Sequence, residues 1–127
     1  MEEKIDFENL EVWQRSVFFA DQILELTEQL NSNRKHFRIT SQLESSVTSI
    51  SLNIAEGKGR YSKKEFIRFL YYARGSAYET VTILEIFKRR SWINIKIFQS
   101  LKKEAIEICK MINGLITSIK NSVPLSR

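Results

Sequence analysis

The sequence predicts an all-α protein, an antiparallel up-down-up-down four-helix bundle. Apolar residues recur at alternating steps of three and four along four separate stretches, the period of a helix that buries one face. No stretch sustains the every-second-residue alternation of a strand. The breaks are short, and the 127 residues hold only four Gly and one Pro, so consecutive helices are expected to run antiparallel. At 43% apolar and 28% charged the chain can bury a core and is too hydrophobic to be disordered. No repeat or linker divides it, and residues 1–127 read as one domain.

The first helix spans about residues 7–30, with Leu10, Trp13, Val17, Ala20 and Leu24 in the period. Asn31, Ser32 and Asn33 break it, and the basic run Arg34, Lys35, His36, Phe37, Arg38 follows. The second helix, about 40–56, places Leu43, Val47, Ile50 and Ile54 on one face. Its other positions are small (Ser45, Ser46, Thr48, Ser49, Ser51), so close packing has to compensate for middling helix propensity. Gly57-Lys58-Gly59 is expected to end it through a left-handed glycine cap.

Ser62 and Glu65 form a capping-box pattern that opens the third helix, about 62–89. Its inward residues are Phe66, Phe69, Leu70, Ala73, Ala77, Leu84 and Phe87, and Lys88-Arg89-Arg90 complements the negative end of its dipole. The fourth helix, about 95–120, has the strictest spacing, with Phe98, Leu101, Ala105, Ile108, Ile112, Leu115 and Ile119 in register. Pro124 lies beyond it. Off these stripes stand Val12, Phe19, Ile23, Leu26, Ile67, Tyr71, Tyr78, Ile86, Ile97, Ile106 and Ile116. Such a surplus fits a second buried surface, hence a homo-oligomer, or simply the wide stripes of a bundle.

Charge is segregated. Residues 1–33 carry eight acids and two bases, a net of −6, whereas residues 34–127 carry eighteen bases and seven acids, a net of +11. This pattern points to pairing of helices within the chain, to a head-to-tail contact between copies, or to attraction of a polyanion. No apolar run approaches the ~18 residues of a membrane span, and the acidic opening Met1-Glu2-Glu3-Lys4 is unlike a secretory leader. With Cys109 as its one cysteine, the chain has no internal disulfide, and a cytoplasmic protein is the expectation.

Enzymatic machinery is scarce: the expectation is a protein with no catalytic residues, no metal site and no cofactor. His36 sits in a predicted loop between cations and reads as a solvated surface residue. Cys109 adjoins the core position Ile108 and reads as a small hydrophobe. There is no Cys pair, no second His and no Glu-x-x-His pattern; Glu104 and Glu107 read as a solvated face. The best local candidate is residues 57–64, where two glycines, a helix N-terminus and four cations suit phosphate. A capped turn with solvated charges explains the same residues. It is not a P-loop, because Leu52 replaces the first glycine and Tyr61-Ser62 does not supply the Lys-Ser/Thr pair. Tyr61, Tyr71 and Tyr72 read either as stacking platforms for unpaired bases or as a packing seam.

The run from Ser49 through Asn53-Ile54-Ala55-Glu56-Gly57-Lys58-Gly59-Arg60, then Ser62-Lys63-Lys64-Glu65-Phe66 and Ala73-Arg74-Gly75-Ser76, is recognisable. With Phe7-Glu8-Asn9-Leu10 near the start and Lys110-Met111-Ile112-Asn113-Gly114 late, it resembles the four-helix-bundle proteins encoded in intervening sequences of bacterial 23S ribosomal RNA genes. Ser51 stands where that family usually has proline, and residues 31–38 lack the proline usual in its first loop. The resemblance implies no established enzymatic activity. It extends to the accessory variability determinant protein of diversity-generating retroelements, which implies a pentamer that binds nucleic acid and a reverse transcriptase. Asn53, Glu56, Gly57 and Arg60 are the family-marked positions, with Asn53 expected to reach the third helix and Glu56 to pair with Arg60 or Arg74.

The function expected is a non-enzymatic homo-oligomer that binds structured RNA or other nucleic acid. Lys58, Arg60, Lys63, Lys64 and Arg68 form the first candidate patch and Lys88, Arg89 and Arg90 the second. The alternative is a protein-binding adaptor, for example to a reverse transcriptase, in which the basic surface only steers association.

Overall fold

The computed structural model describes residues 2–31 and 35–122. Among these, a short 3-10 turn (Asp6–Asn9) precedes four α-helices and there is no strand. The helices are α1 (Glu11–Leu30), α2 (Phe37–Lys58), α3 (Lys63–Arg89) and α4 (Ile95–Ser122). Each packs on the next, α4 closes against α1, and α2–α3 is the closest pair while α1–α4 is the loosest. This is the four-helix bundle expected. Leu10, in extended conformation, separates the 3-10 turn from α1, so the expected first helix is split. α2 extends beyond the expected range at both ends. Ser32, Asn33, Arg34 and Pro124 lie outside the described residues. No helix among the described residues is long and apolar enough to cross a membrane.

The stripes of α2 and α4 hold almost to the residue. Leu43, Val47, Ile50 and Ile54 are fully buried, as are Ile108 and Ile112, with Phe98, Leu101, Ala105 and Ile119 nearly so. One position differs on α4: Ile116 is in the core and Leu115 only partly buried. On α1 the stripe is rotated. Val12, Phe19, Ala20 and Ile23 are buried, whereas Val17 is exposed. Ser16 and Thr27 complete the buried face, which is why hydrophobic periodicity points to the wrong side. Their hydroxyls donate to the backbone carbonyls of Val12 (2.7 Å) and Leu24 (3.0 Å), and Thr27 also bonds Glu44, so burial leaves no donor unsatisfied.

This rotation changes the argument from surplus hydrophobics. Val12, Phe19, Ile23 and Ile116 belong to the protein's own core, and Leu26 and Ile67 pack against it. Of that surplus, Tyr71, Tyr78, Ile86, Ile97 and Ile106 stay on the surface, where Val17, Phe18, Phe37 and Leu52 are exposed as well.

α3 and α4 are joined by a Schellman motif with serine in place of glycine. Ser91 adopts φ 60°, its N–H donates to Lys88 O (3.0 Å) and the Trp92 N–H to Phe87 O (2.9 Å). The accompanying apolar contact is Phe87 against Trp92, ring centroids 5.2 Å apart. A left-handed serine is strained by its Cβ. Ser91→Gly is therefore expected to raise stability by about 0.5–1 kcal/mol, read as a higher urea midpoint; an unchanged midpoint would show that the strain is offset locally.

Candidate nucleic-acid interface

α2 and α3 meet at a tight corner, and Gly57 makes it possible. Gly57 is not a left-handed cap: it lies inside α2, is buried, and no glycine among the described residues has positive φ. A Cβ on it would stand 2.7 Å from Phe69 Cβ, 3.0 Å from Phe66 Cδ1 and 3.3 Å from Phe66 O. The glycine is there for close approach of the two helices. The Gly59 N–H donates to Ala55 O (3.2 Å) and the Arg60 N–H to Gly57 O (3.1 Å). The amides of Gly59 and Arg60 therefore complete α2 and are not free to cradle a phosphate. Ser62 caps α3 by accepting from the Glu65 N–H (3.1 Å). Only this half of the capping box forms, because the Glu65 carboxylate pairs with Arg68 (3.2 Å).

Lys58, Arg60, Lys63, Lys64 and Arg68 all lie on this corner, on three turns of chain. Arg60 pairs with Glu56 (2.8 Å) and its guanidinium sits 4.7 Å from the Phe69 ring centroid. Arg68 lies 5.8 Å from the Phe69 centroid and 5.9 Å from that of Tyr72. The Lys58 amine is 5.9 Å from the Phe66 ring, and Lys63 donates to Ser122 Oγ (3.0 Å) at the end of α4. Lys64 is exposed and has no partner among the described residues. Five cations thus face two carboxylates, and the corner keeps a positive excess.

Lys88, Arg89 and Arg90 lie at the other end of the bundle. Both patches border the 27-residue α3, and at 1.5 Å per residue their cations are separated by roughly 30–40 Å. Lys88 and Arg89 share Glu85 (3.0 and 2.9 Å). Hydrogen bonds from Arg89 and then Lys88 hold the Glu85 carboxyl below its ordinary range. Lys35, Arg38 and Lys96 stand at the same end, which sequence spacing did not gather with them. His36 is not simply solvated: its ring stacks on Trp92 with centroids 3.6 Å apart and planes 21° from parallel.

The family-marked positions lie along the last turns of α2 and just past its end, beside the seam with α3. Asn53 does not reach α3; its amide donates to Ser49 O (2.8 Å) and Ser49 Oγ (3.0 Å). Ser49 accepts in turn from Ser76 Oγ (3.0 Å), and one turn along Ser46 and Thr80 share a bond of 2.9 Å. The serines of α2 therefore knit it to α3 as well as allowing close approach. Arg74 takes Asn113 (2.9 Å) and lies 4.8 Å from the Tyr71 ring, leaving Glu56 to Arg60. Nor is Glu104 solvated: Arg15 donates to it twice (3.0 and 2.8 Å), tying α1 to α4. That carboxylate strengthens Arg15's hold on its proton. Glu107 is 3.7 Å from Lys110.

Elsewhere, a shallow groove of about 420 Å³ runs between α3 and α4, lined by Tyr78, Val81, Ile106 and Cys109 and rimmed by Lys102 and Lys110. Burial pushes the Cys109 thiol up against the opposing pull of Arg74, which disfavours the nucleophilic thiolate. The outer face of α1 has the opposite character. Phe18, 60% exposed, shares that face with Asp21 and Glu25 at spacings of three and seven. Among the described residues Asp21, Glu25 and Glu28 make no ion pair, so these acids are not paired with the basic helices of their own chain. No group of three His, Cys, Asp or Glu side chains among the described residues could hold a metal.

Comparison with known proteins adds a family and a structure. The family model of the 23S rRNA-intervening sequence protein matches residues 8–114. A solved structure from Bacteroides thetaiotaomicron VPI-5482, a protein with unknown function from the S23 ribosomal protein family, is 32% identical with a TM-score of 0.79. The match covers 83% of this chain and 97% of that one. No curated protein matches.

Proposed function

The chain belongs to the 23S rRNA-intervening sequence protein family, and on that premise we propose that it is a cytoplasmic, non-enzymatic homo-oligomer that binds structured RNA through its basic ends. The observation that carries this reading is the α2–α3 corner, where Lys58, Arg60, Lys63, Lys64 and Arg68 gather with only Glu56 and Glu65 to oppose them. Phosphate contacts from such a cluster give affinity with little sequence preference and a steep dependence on salt. Lys88, Arg89 and Arg90 form a second contact, too distant to belong to the first.

Self-association follows from complementarity. The acidic face of α1 around Phe18 fits the cation-rimmed α3–α4 groove of a second copy. Because the two surfaces differ, the contact is head-to-tail, which gives a ring where the rotation between copies closes and a filament where it does not; the resemblance implies the ring, a pentamer.

The test is fluorescence anisotropy with a labelled structured RNA at about 50 and 200 mM salt, with the mass followed by light scattering. An interface of six phosphate contacts loses roughly a thousandfold in affinity between those salts. Lys63→Glu combined with Lys64→Glu is expected to weaken binding at least ~10-fold while leaving the oligomer's mass unchanged. Undiminished binding by that double variant would remove this corner from the interface. No binding by wild type at the lower salt would overturn the nucleic-acid reading and leave the protein-adaptor role.

A further inference from the structure

The α2–α3 corner carries more than charge. Tyr61 is fully exposed and Tyr72 is 49% exposed. Between them Arg60, Phe69, Arg68 and Tyr72 form a ladder in which each guanidinium lies against a ring. Phe69 and Tyr72 pack in a T-shaped pair, centroids 5.3 Å apart at 79°, so Phe69 props Tyr72 while about half of Tyr72 stays open to solvent. The side chains of Arg60 and Arg68 remain 43% and 56% exposed, so their planes are open on the solvent side. Residues 61–72 span roughly 16 Å at 1.5 Å per residue.

A duplex presents phosphates and hides the faces of its bases; point charges are enough to hold it, and exposed rings contribute nothing. An unpaired strand offers base faces, which stack on tyrosine and on guanidinium planes. Contact with Phe69 and ion pairs to Glu56 and Glu65 already restrain the two guanidiniums, so less side-chain freedom is lost when a base arrives. Tyr61 makes no ring contact among the described residues, and at full exposure its ring is not covered by the bundle.

We propose that this corner takes unpaired nucleotides, a single strand or the loop of a folded RNA: Tyr61, Tyr72 and the outer planes of Arg60 and Arg68 receive the bases, and Lys58, Lys63 and Lys64 the phosphates. This inference rests on the nucleic-acid reading above and specifies which form of nucleic acid the site accepts.

The test uses the full chain, a labelled unstructured RNA strand of about 12 nucleotides, and the same strand annealed to its complement. At about 50 mM salt the single strand is expected to bind at least ~10-fold tighter than the duplex. Tyr72→Leu and Tyr61→Leu are each expected to weaken single-strand binding about 5- to 100-fold, to leave duplex binding within about twofold, and to keep the light-scattering mass; Tyr72→Phe retains affinity. Equal affinity for strand and duplex overturns this inference and leaves the nucleic-acid reading intact. So does unchanged binding by both leucine variants, or a loss that comes with a change in mass, which would make the tyrosines assembly contacts. Failure of wild type to bind either RNA overturns both.

Discussion

Gly57→Ala is expected to destabilise the protein by about 1–3 kcal/mol, although a glycine inside a helix ordinarily gains about 1 kcal/mol from the same change. The sign is decided by what the new methyl meets. Phe69 Cβ at 2.7 Å and Phe66 O at 3.3 Å belong to the root and backbone of α3, so no rotamer change relieves the clash and the two helices must part. Parting them stretches the Ser49–Ser76 and Ser46–Thr80 bonds, which cross the same seam. Gly75 and Gly114 are the internal controls. Both lie inside helices with nothing within 4 Å of a Cβ, and alanine at either is expected to stabilise by roughly 0.5–1 kcal/mol. Urea titrations of the three variants decide the matter. If Gly57→Ala gained stability alongside the other two, close helix approach would not be what that glycine provides.

Phe87→Ala is expected to cost about 3–5 kcal/mol, a large part of the ~5–15 kcal/mol that holds a domain together. Phe87 is fully buried and backs Trp92 at 5.2 Å, while Trp92 in turn carries the His36 ring at 3.6 Å. Core, chain reversal and the start of α2 are therefore linked through one side chain. Truncation removes the ring against which Trp92 packs, so its fluorescence, read in a Trp13→Phe background, should shift to the red along with the lower urea midpoint. A stability loss with unshifted emission would show that Trp92 is held by His36 and the Schellman turn without help from the core.

The residues that the sequence could assign are those whose role depends on their own helix. Leu43, Val47, Ile50 and Ile54 on α2, and Phe98 to Ile112 on α4, were legible because an unbroken apolar period needs no knowledge of the partner. Ser62 as a helix cap is legible for the same reason, a contact within a turn; for Glu56 the sequence offers Arg60 or Arg74, and the structure selects Arg60. The two basic patches could be picked out as runs of charge, but not their separation, which depends on α3 placing one at each end.

What lay beyond the sequence involves two helices at once. The buried face of α1 escapes the apolar period because Ser16 and Thr27 look polar until the carbonyls of Val12 and Leu24 are seen to accept from them. Gly57 looks like a helix terminator until Phe66 and Phe69 are placed against it. His36 gains Trp92, Glu104 gains Arg15, and Ser49 gains Ser76 across sequence separations that carry no period. The sequence by itself determined the all-α class, the helix order and most of the core, because burial of one face per helix is a local pattern repeated along the chain. Only the tertiary structure decided which small and polar residues lie inside and which aromatics stand among the cations, because both depend on the surface a neighbouring helix presents.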